Sequence, residues 1–164
     1  MTSPWTALAN TAINDVTMTN LIENRLDTLD AQVAACPAEL DSNQITAASA
    51  SFTTIADITG LSISFTLTTA RIVDIWVYAI VQSTLANDRL QLTLADNANV
   101  QLQVTGDLFI PANSSSVPGW LFWRGFLSAG PYGMKVRANR QAGSGTCVVN
   151  AAATRPAFIK AVGW

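Results

Sequence analysis

Acidic side chains are the first candidates for chemistry in this chain, and they are scattered along it. The acids to weigh for general acid and base work are Asp57, Asp74, Asp88 and Asp107. A glycosidase holds two carboxylates about 5–9.5 Å apart, and nothing in the sequence indicates that any two of these acids meet. Histidine is absent, which removes the commonest general base and the commonest metal ligand. We therefore predict that the chain is not an enzyme, with no catalytic residues.

Metal and redox chemistry find equally little support. Asp96, Asn97 and Asn99 offer oxygens of the kind that calcium binds, but they lack EF-hand spacing, so a plain turn is the simpler interpretation. The spacing of Cys36 and Cys147 fits no zinc or redox motif. Both thiols are expected to stay reduced in a cytosol. We predict no metal site and no cofactor.

Aromatic side chains are the best candidates for binding, because their flat amphipathic rings stack on sugars and on partner surfaces. Trp76, Tyr78, Trp120 and Trp123 all fall in strand-like runs. Packing in the core or in a trimer is their expected role, and stacking on a ligand is the alternative.

Charge and hydropathy exclude two kinds of partner. Charged residues make up 12 % of the chain and the formal net charge is -2, without a basic run, which argues against nucleic acid. The small basic edge of Lys135, Arg137 and Arg140 is expected to be a solvated strand face. The longest apolar stretch, Ile72 to Val81, is about half a membrane-spanning helix, so we predict no membrane insertion. No secretory signal pattern is visible at the N-terminus.

A heptad pattern between residues 17 and 36 is the clearest structural signal. Its apolar positions are Ile22, Leu26, Leu29, Val33 and Cys36. These residues recur at the alternating spacing of a coiled-coil seam. About two and a half heptads are marginal for an isolated helix, so a larger assembly must hold the chains together.

The ends and flanks of this helix support self-association. Thr17 is a suitable N-cap, and Pro37 ends the helix. In a parallel bundle, Arg25 of one chain reaches Asp30 of the next as an interchain ion pair. The alternative is a single amphipathic helix that lies on its own domain, although such a helix usually has a wider apolar face.

Residues 1–16 are predicted to form a docking arm. Trp5, Leu8 and Ile13 are its apolar points, and a tryptophan is costly to leave in water. We expect the arm to dock on another protein through these residues. Folding back on its own trimer, or fraying, is the alternative.

Residues 37–50 are predicted to be a linker, and residues 51–164 a β-domain. Polar and apolar residues alternate from Leu61 to Thr68, the pattern of a half-buried strand. The two runs at 90–94 and 100–104 are predicted to form a hairpin. Roughly nine or ten short strands without a second helix indicate an antiparallel sandwich or jelly roll.

Two strand-like runs, Arg71 to Gln82 and Trp120 to Leu127, are apolar on both faces. That is more apolar surface than one sandwich core needs. A homotrimer supplies the missing cover if the inner sheets pack around a threefold axis, which the short coiled coil then continues.

The chain resembles tailed-bacteriophage virion proteins at its two ends. The segment VTMTNLIENRLDTLDAQVAA is similar to the trimerising helix that precedes many phage fibre, spike and decoration domains. The segment GPYGMKVRANRQAGSGTCVVNAAATRPAFIKAVGW resembles the last strands of trimeric jelly rolls similar to the tumour-necrosis-factor-like fold. The resemblance implies a homotrimer on the virion surface, made in the host cytoplasm and attached to a capsid or other virion protein by its N-terminal arm.

Two functions remain as hypotheses. The first is a structural protein that decorates the capsid or stands on it as a short head spike. The second is a receptor-binding tip that recognises host carbohydrate or protein through the loops Thr84 to Arg89, Asp96 to Asn99 and Pro111 to Pro118. An enzyme acting on cell-wall polymers is disfavoured, because no acid, base or nucleophile arrangement is visible.

Overall fold

A computed structural model of the chain describes residues 15–34 and 36–164, with side chains described for 20–29 and 36–164. The chain divides into two compact units, with the boundary between Cys36 and Pro37. The predicted docking residues Trp5, Leu8 and Ile13 lie outside the described residues. So do the side chains of Asp30 and Val33 from the predicted coiled coil.

The helix of the first unit, α1, spans Asp15–Ala34. It begins and ends two residues earlier than the heptad pattern predicts, within the usual variation of helix ends. Ile22, Leu26 and Leu29 are all more than half exposed to solvent. The helix is therefore observed with an apolar seam on its surface, while the coiled coil stays a prediction.

Ten strands form the second unit. They are β1 (Ala38–Ile45), β2 (Ala56–Leu67), β3 (Arg71–Ser83), β4 (Arg89–Asp96), β5 (Gln101–Val104), β6 (Leu108–Phe109), β7 (Ser116–Leu127), β8 (Gly130–Ala142), β9 (Cys147–Val149) and β10 (Ala157–Gly163). The predicted hairpin is present, since β4 pairs antiparallel with β5.

Two five-stranded antiparallel sheets make up the sandwich. One has the order β1-β10-β3-β7, with β9 also on β3, and the other has the order β2-β8-β4-β5, with β6 on β4. The chain crosses between the sheets at most of its loops, which is a jelly-roll-like connectivity. The predicted mainly-β sandwich is thus confirmed at the level of two antiparallel sheets.

The assignment of residues 37–50 to a linker was wrong, because β1 lies there and pairs with β10. Its polar side chains resemble turn signals in the sequence, but they hydrogen-bond to the backbone of β2, the edge strand of the other sheet. Asp41 Oδ2 accepts the Ser64 N–H at 2.7 Å, and Asn43 Nδ2 donates to the Ser62 carbonyl at 3.2 Å. These contacts satisfy backbone groups of β2 that an open sheet edge leaves unpaired.

The core lies between the sheets and is lined by alternate residues of the long strands. In β3 the inward side chains are fully buried: Val73, Ile75, Val77, Ala79 and Val81. In β4 Leu90, Leu92 and Leu94 are equally buried. The rigid sandwich built on these residues fixes which side chains point outward. Within the described residues, no helix is both long and apolar enough to cross a membrane.

Candidate functional site

The candidate site is the outer surface of the β1-β10-β3-β7 sheet. Because side chains alternate along a strand, the buried valines and isoleucine of β3 place its even-numbered residues on this surface. Trp76 lies opposite Phe122, and Tyr78 lies opposite Trp120, in the pairing of β3 with β7. Phe158 of β10 lies opposite Tyr78 on the other side. We call these five side chains the aromatic face.

The rings of the aromatic face contact one another across the strands. Ring centres are 4.5 Å apart for Trp76 and Phe122, and 4.4 Å apart for Tyr78 and Trp120. Phe158 lies 5.9 Å from Tyr78 and 6.2 Å from Trp120. Cross-strand aromatic pairs of this kind stabilise the sheet and hold the rings in fixed positions.

Much of this aromatic surface is open to solvent in the single chain. Trp76 is 43 % exposed and Trp120 is 62 % exposed, and Phe126, further along the same face of β7, is 72 % exposed. Monomeric soluble proteins seldom leave large contiguous apolar patches uncovered. The arrangement therefore fits a surface that binds a partner.

An ion pair between a buried carboxylate and a half-exposed guanidinium borders the aromatic face. Asp74 is buried, and its two carboxylate oxygens accept hydrogen bonds of 2.6 Å from Nε and Nη2 of Arg124. Trp164 Nε1 donates to the same carboxylate at 2.9 Å. The guanidinium carbon lies 5.9 Å from the Phe122 ring centre and 5.8 Å from that of Trp164. Cation–π contacts and a bidentate pair thus fix Arg124 at this position.

The same contacts shift two pKa values in opposite directions. The hydrogen bonds from Arg124 lower the pKa of Asp74 below its ordinary value of 3.8, with a smaller contribution from Trp164. Asp74 in turn raises the pKa of Arg124. Asp74, considered above as a possible catalytic acid, is thus a charged acceptor of structural hydrogen bonds.

Replacing Asp74 by asparagine is expected to lower stability most at neutral pH. A lowered pKa in the folded state means that the unfolded chain binds more protons near pH 4, so stability is lost as pH falls through the folded pKa. At pH 7 the D74N substitution should lower the unfolding free energy by about 1–3 kcal/mol, a moderate loss because Arg124 is half exposed. This loss should shrink towards pH 3. Urea unfolding of the wild-type chain and of D74N across pH 3 to 7 measures the difference in their unfolding free energies.

The matched control for that measurement is Asp57→Asn. The pKa of Asp57 is also lowered, chiefly by a hydrogen bond from Lys135, but this carboxylate is about half exposed. Its substitution should therefore change stability by only about 0–1 kcal/mol at any pH. A D74N cost that stays constant from pH 7 to pH 3 would contradict the structural role of the charged carboxylate.

A polar cleft lies beside the aromatic face, between β1 and β10. It encloses about 490 Å³, and its outward side chains include Glu39, Ser42, Gln44, Phe158 and Lys160. Glu39 accepts hydrogen bonds from Lys160 Nζ and from Ser42 Oγ. The bond from Lys160 is the main reason why the pKa of Glu39 is lowered. The cleft thus presents paired charges and amides next to an aromatic ring.

The remaining acids lie apart and make separate contacts. Asp57 accepts from Lys135 Nζ at 2.7 Å and from Arg137 Nε at 2.8 Å. Asp107 lies 3.4 Å from Arg89 Nη1. The predicted basic edge is therefore partly neutralised within the chain.

The other predicted chemical groups have structural roles where the structure describes them. Asp96 Oδ1 accepts the Val100 N–H at 2.8 Å, and Asn99 has a φ of 69°, so these residues form a turn. Cys147 is buried, and burial raises the pKa of its thiol, whereas Cys36 is exposed. In the described part of the chain, no cluster of three or more acidic or cysteine side chains is placed to hold a metal.

Asp88 organises one end of the sandwich. This buried carboxylate accepts hydrogen bonds from Ser83 Oγ, from the Ser144 N–H at 3.1 Å and from the Gly145 N–H at 3.0 Å. Gly143 has a φ of 102°, a conformation that glycine adopts without strain. The loop before β4 and the loop after β8 are therefore joined through one side chain.

The three candidate receptor loops do not lie together. The Ala86 N–H donates to Asn113 Oδ1 at 2.8 Å, so the loops Thr84 to Arg89 and Pro111 to Pro118 meet at one end of the sandwich. The turn Asp96 to Asn99 follows the opposite end of β4. Two of the three loops are thus neighbours, and the third is separated from them by the length of a strand.

Sequence reasoning named Trp76, Tyr78 and Trp120 of the aromatic face as site residues but did not name Phe122 and Phe158. Phe158 lies in the alternating run AFIKAVG, a period-two signal that indicates a strand with Phe158 and Lys160 on one face. Trp123 points the other way and packs, half buried, against the core.

Comparisons with known proteins give distant structural likenesses. No family model matches the chain, and no curated protein matches it. PorU from Porphyromonas gingivalis is similar at a TM-score of 0.49 and 12 % identity, over 76 % of this chain and 12 % of PorU. Eiger TNF from S. frugiperda gives a TM-score of 0.41 at 10 % identity, over 77 % of this chain and 94 % of Eiger.

A third likeness is to the carbohydrate binding module CBM6cm-2 of Cellvibrio mixtus lichenase 5A, solved with cellotriose. Its TM-score is 0.37 at 15 % identity, over 76 % of this chain and 97 % of the module. These scores and identities are too low to carry an argument about function.

Proposed function

We propose that the chain is a homotrimeric structural protein on the surface of a phage-like particle, where it serves as a capsid decoration or a short head spike. The observation that carries this proposal is the aromatic face, whose two exposed tryptophans the single chain leaves in water. Copies of the same chain are the proposed cover, and the N-terminal arm is the proposed anchor.

The size of the exposed surface favours self-association. Fully burying one large aromatic side chain removes about 150–250 Å² from water, and each Å² of apolar surface is worth about 25 cal/mol. Trp76 and Trp120 leave roughly half of their surface exposed in the single chain, so about half of that free energy is still to be gained on assembly. Phe122 and Phe126 add to it. Assembly through the sheet recovers this free energy in every copy.

The helix supports the same conclusion independently. Ile22, Leu26 and Leu29 are exposed on α1 at the spacing of a coiled-coil seam. A helix of 20 residues gains stability when such a seam packs against identical helices. The proposed interchain pair of Arg25 with Asp30 belongs to this bundle. Two apolar surfaces, one on each unit, are thus available to a second and a third copy.

The oligomeric state is the first test of the proposal. At micromolar concentration, sedimentation equilibrium should give three times the chain mass of 17.4 kDa. A well-folded single chain under these conditions would remove the basis for assembly and, with it, the physical argument for a virion role.

Deleting residues 2–16 should abolish binding to particles and leave a folded trimer. The reason is that the arm carries Trp5, Leu8 and Ile13 outside the β-domain, so its loss removes the anchor and spares the sandwich. Co-sedimentation with particles that lack the protein measures binding, and sedimentation equilibrium measures the trimer. The control is the double variant N10A/N14A, which keeps the apolar residues and should bind like wild type. Normal particle binding by the truncated chain would rule out the arm as the anchor.

A receptor-binding tip is the second candidate, and one observation favours it. The two neighbouring loops flank a cleft of about 210 Å³ lined by hydroxyl and amide groups, including Gln82, Thr84, Ser114 and Thr146. Such groups hydrogen-bond well to sugars. Saturable binding on a glycan array, lost when Thr84 and Thr146 are replaced by valine, would support this function. A purely structural decoration should show no such binding.

A further inference from the structure

We infer that the aromatic edge of the sheet in one copy docks on the polar cleft of the next copy, which brings Arg124 beside Glu39. This inference rests on the proposed trimer and names the two surfaces that meet in it. The aromatic edge means the outward side chains of β7, namely Trp120, Phe122, Arg124 and Phe126.

The first step is that the outer surface of this sheet has two unlike halves. At the β7 side it presents exposed aromatic rings and a guanidinium group. At the β1 side it presents Glu39, Ser42 and Gln44, which are polar and exposed. A closed ring of three copies joins unlike patches, since each copy uses one surface towards one neighbour and a second surface towards the other. The two halves are candidates for these two surfaces.

The second step fixes the direction of the axis. The difference between the halves runs across the strands, from β1 to β7, so neighbouring copies must be displaced across the strands for unlike halves to meet. The threefold axis then runs approximately along the strands. Rotation about an axis leaves the height along it unchanged, so residues in one cross-strand row of one copy meet the same row of the next.

The third step identifies the residues that share a cross-strand row, which the strand register gives. The pairings of β1 with β10, β10 with β3 and β3 with β7 give three rows: Gln44–Phe158–Tyr78–Trp120, Ser42–Lys160–Trp76–Phe122 and Glu39–Val162–Asp74–Arg124. Glu39 and Arg124 are thus the two ends of one row. In the ring, the end of this row in one copy faces its beginning in the next.

The charges at the two ends of this row are complementary. Arg124 uses Nε and Nη2 to bind Asp74, and its side chain is 55 % exposed, so its third nitrogen, Nη1, is left for a further acceptor. Glu39 already accepts hydrogen bonds from Lys160 and Ser42 of its own chain, but it is 46 % exposed on the opposite edge, so a guanidinium from the next copy can share these acceptors. Two rows further along the strands, Trp120 reaches the height of Gln44 and Phe158, where its ring can cover the apolar side of the cleft. Like halves, by contrast, would bring two Arg124 guanidinium groups together.

Site-specific photo-crosslinking tests this arrangement on the full chain. In the variant Phe126→p-benzoylphenylalanine, the probe replaces a side chain that is 72 % exposed, so the fold should be unaffected. Irradiation of the purified protein should produce interchain crosslinks, and mass spectrometry should locate them in residues 37–45 or 157–164 of the other copy. The reciprocal variant, Gln44→p-benzoylphenylalanine, should crosslink to residues 116–127.

The control variant is Phe109→p-benzoylphenylalanine, because Phe109 is 48 % exposed but belongs to the other sheet. Its interchain crosslinks to residues 37–45 or 157–164 should be at least tenfold weaker. Crosslinks from position 126 to β3 or β7 of the other copy, or none at all in a protein of trimer mass, would overturn this inference and leave the proposed trimer standing. A monomer mass for the wild-type chain would overturn both.

Discussion

The double variant W76S/W120S is expected to be a folded monomer at concentrations where the proposed wild-type trimer forms. Each indole is about half exposed in the single chain, so its burial between copies is worth roughly 2–3 kcal/mol at about 25 cal/mol per Å². Losing both rings from each copy should weaken association by at least about 100-fold. Sedimentation equilibrium measures the change in mass, and far-UV circular dichroism verifies that the sandwich is intact.

The matched control is V100S/F109S, which removes two apolar side chains of similar exposure away from the aromatic face, one in the turn before β5 and one in β6. Val100 is 58 % exposed and Phe109 is 48 % exposed. This variant should retain the trimer mass and its concentration dependence. If both double variants dissociate equally, the loss reflects general destabilisation; if W76S/W120S stays trimeric, the aromatic face is not the interface.

Replacing Asp88 by alanine is expected to cost about 3–5 kcal/mol of unfolding free energy. The substitution removes the acceptor for the Ser144 and Gly145 N–H groups and for the Ser83 hydroxyl, at a position that is 1 % exposed. Ser83 and Gly145 are buried, and each buried donor left without a partner costs about 1–3 kcal/mol, whereas Ser144 is exposed and loses less. Because a chain of this size loses about 2–4 °C of Tm for each kcal/mol, calorimetry should show a Tm lower by roughly 10 °C.

Two further variants separate this role from a general effect of losing a carboxylate. Asp88→Asn keeps one oxygen acceptor in place and should cost less than the alanine variant. Asp107→Ala removes an exposed carboxylate that contacts Arg89 and should change stability by less than about 1 kcal/mol. A cost below about 1 kcal/mol for D88A would contradict the view that this side chain joins the two loops.

The sequence predicts the strands well where one physical signal dominates. The strict alternation from Leu61 to Thr68 follows from one buried and one solvated face, and β2 has that burial pattern. The excess apolar face of β3 is equally visible, because Trp76 and Tyr78 alternate with buried valines and isoleucine. Such signals depend on residues two positions apart in the sequence, so they can be recognised without knowledge of the fold.

Contacts that depend on register across distant strands could not be predicted in the same way. Asp74, Arg124 and Trp164 are far apart in the sequence and meet only because β3 pairs with β7 and lies beside the end of β10. The burial of Asp88 likewise depends on a loop more than 50 residues away. No local pattern marks such a residue, since its partners are backbone groups that every residue possesses.

The error at β1 has a similar origin. A strand whose polar side chains bind the backbone of a neighbouring strand has the composition of a loop, so residues 37–50 carried no strand signal. Asp41 and Asn43 show why: they are hydrogen-bonded to the edge of β2 and are not turn residues. Tertiary hydrogen bonding here replaces the alternation by which strands are usually recognised.

This use of β1 has a practical consequence for protein engineering. The segment Ala38–Ile45 is not a spacer whose length can be adjusted. An inserted or deleted residue would shift Asp41 and Asn43 away from β2 and leave the backbone of that edge strand unpaired and prone to aggregation. Tags, cargo proteins or flexible extensions are better grafted at the exposed residues 46–48, ahead of Ser49, which is hydrogen-bonded to Val149. Changes inside Ala38–Ile45 should yield aggregated material during expression.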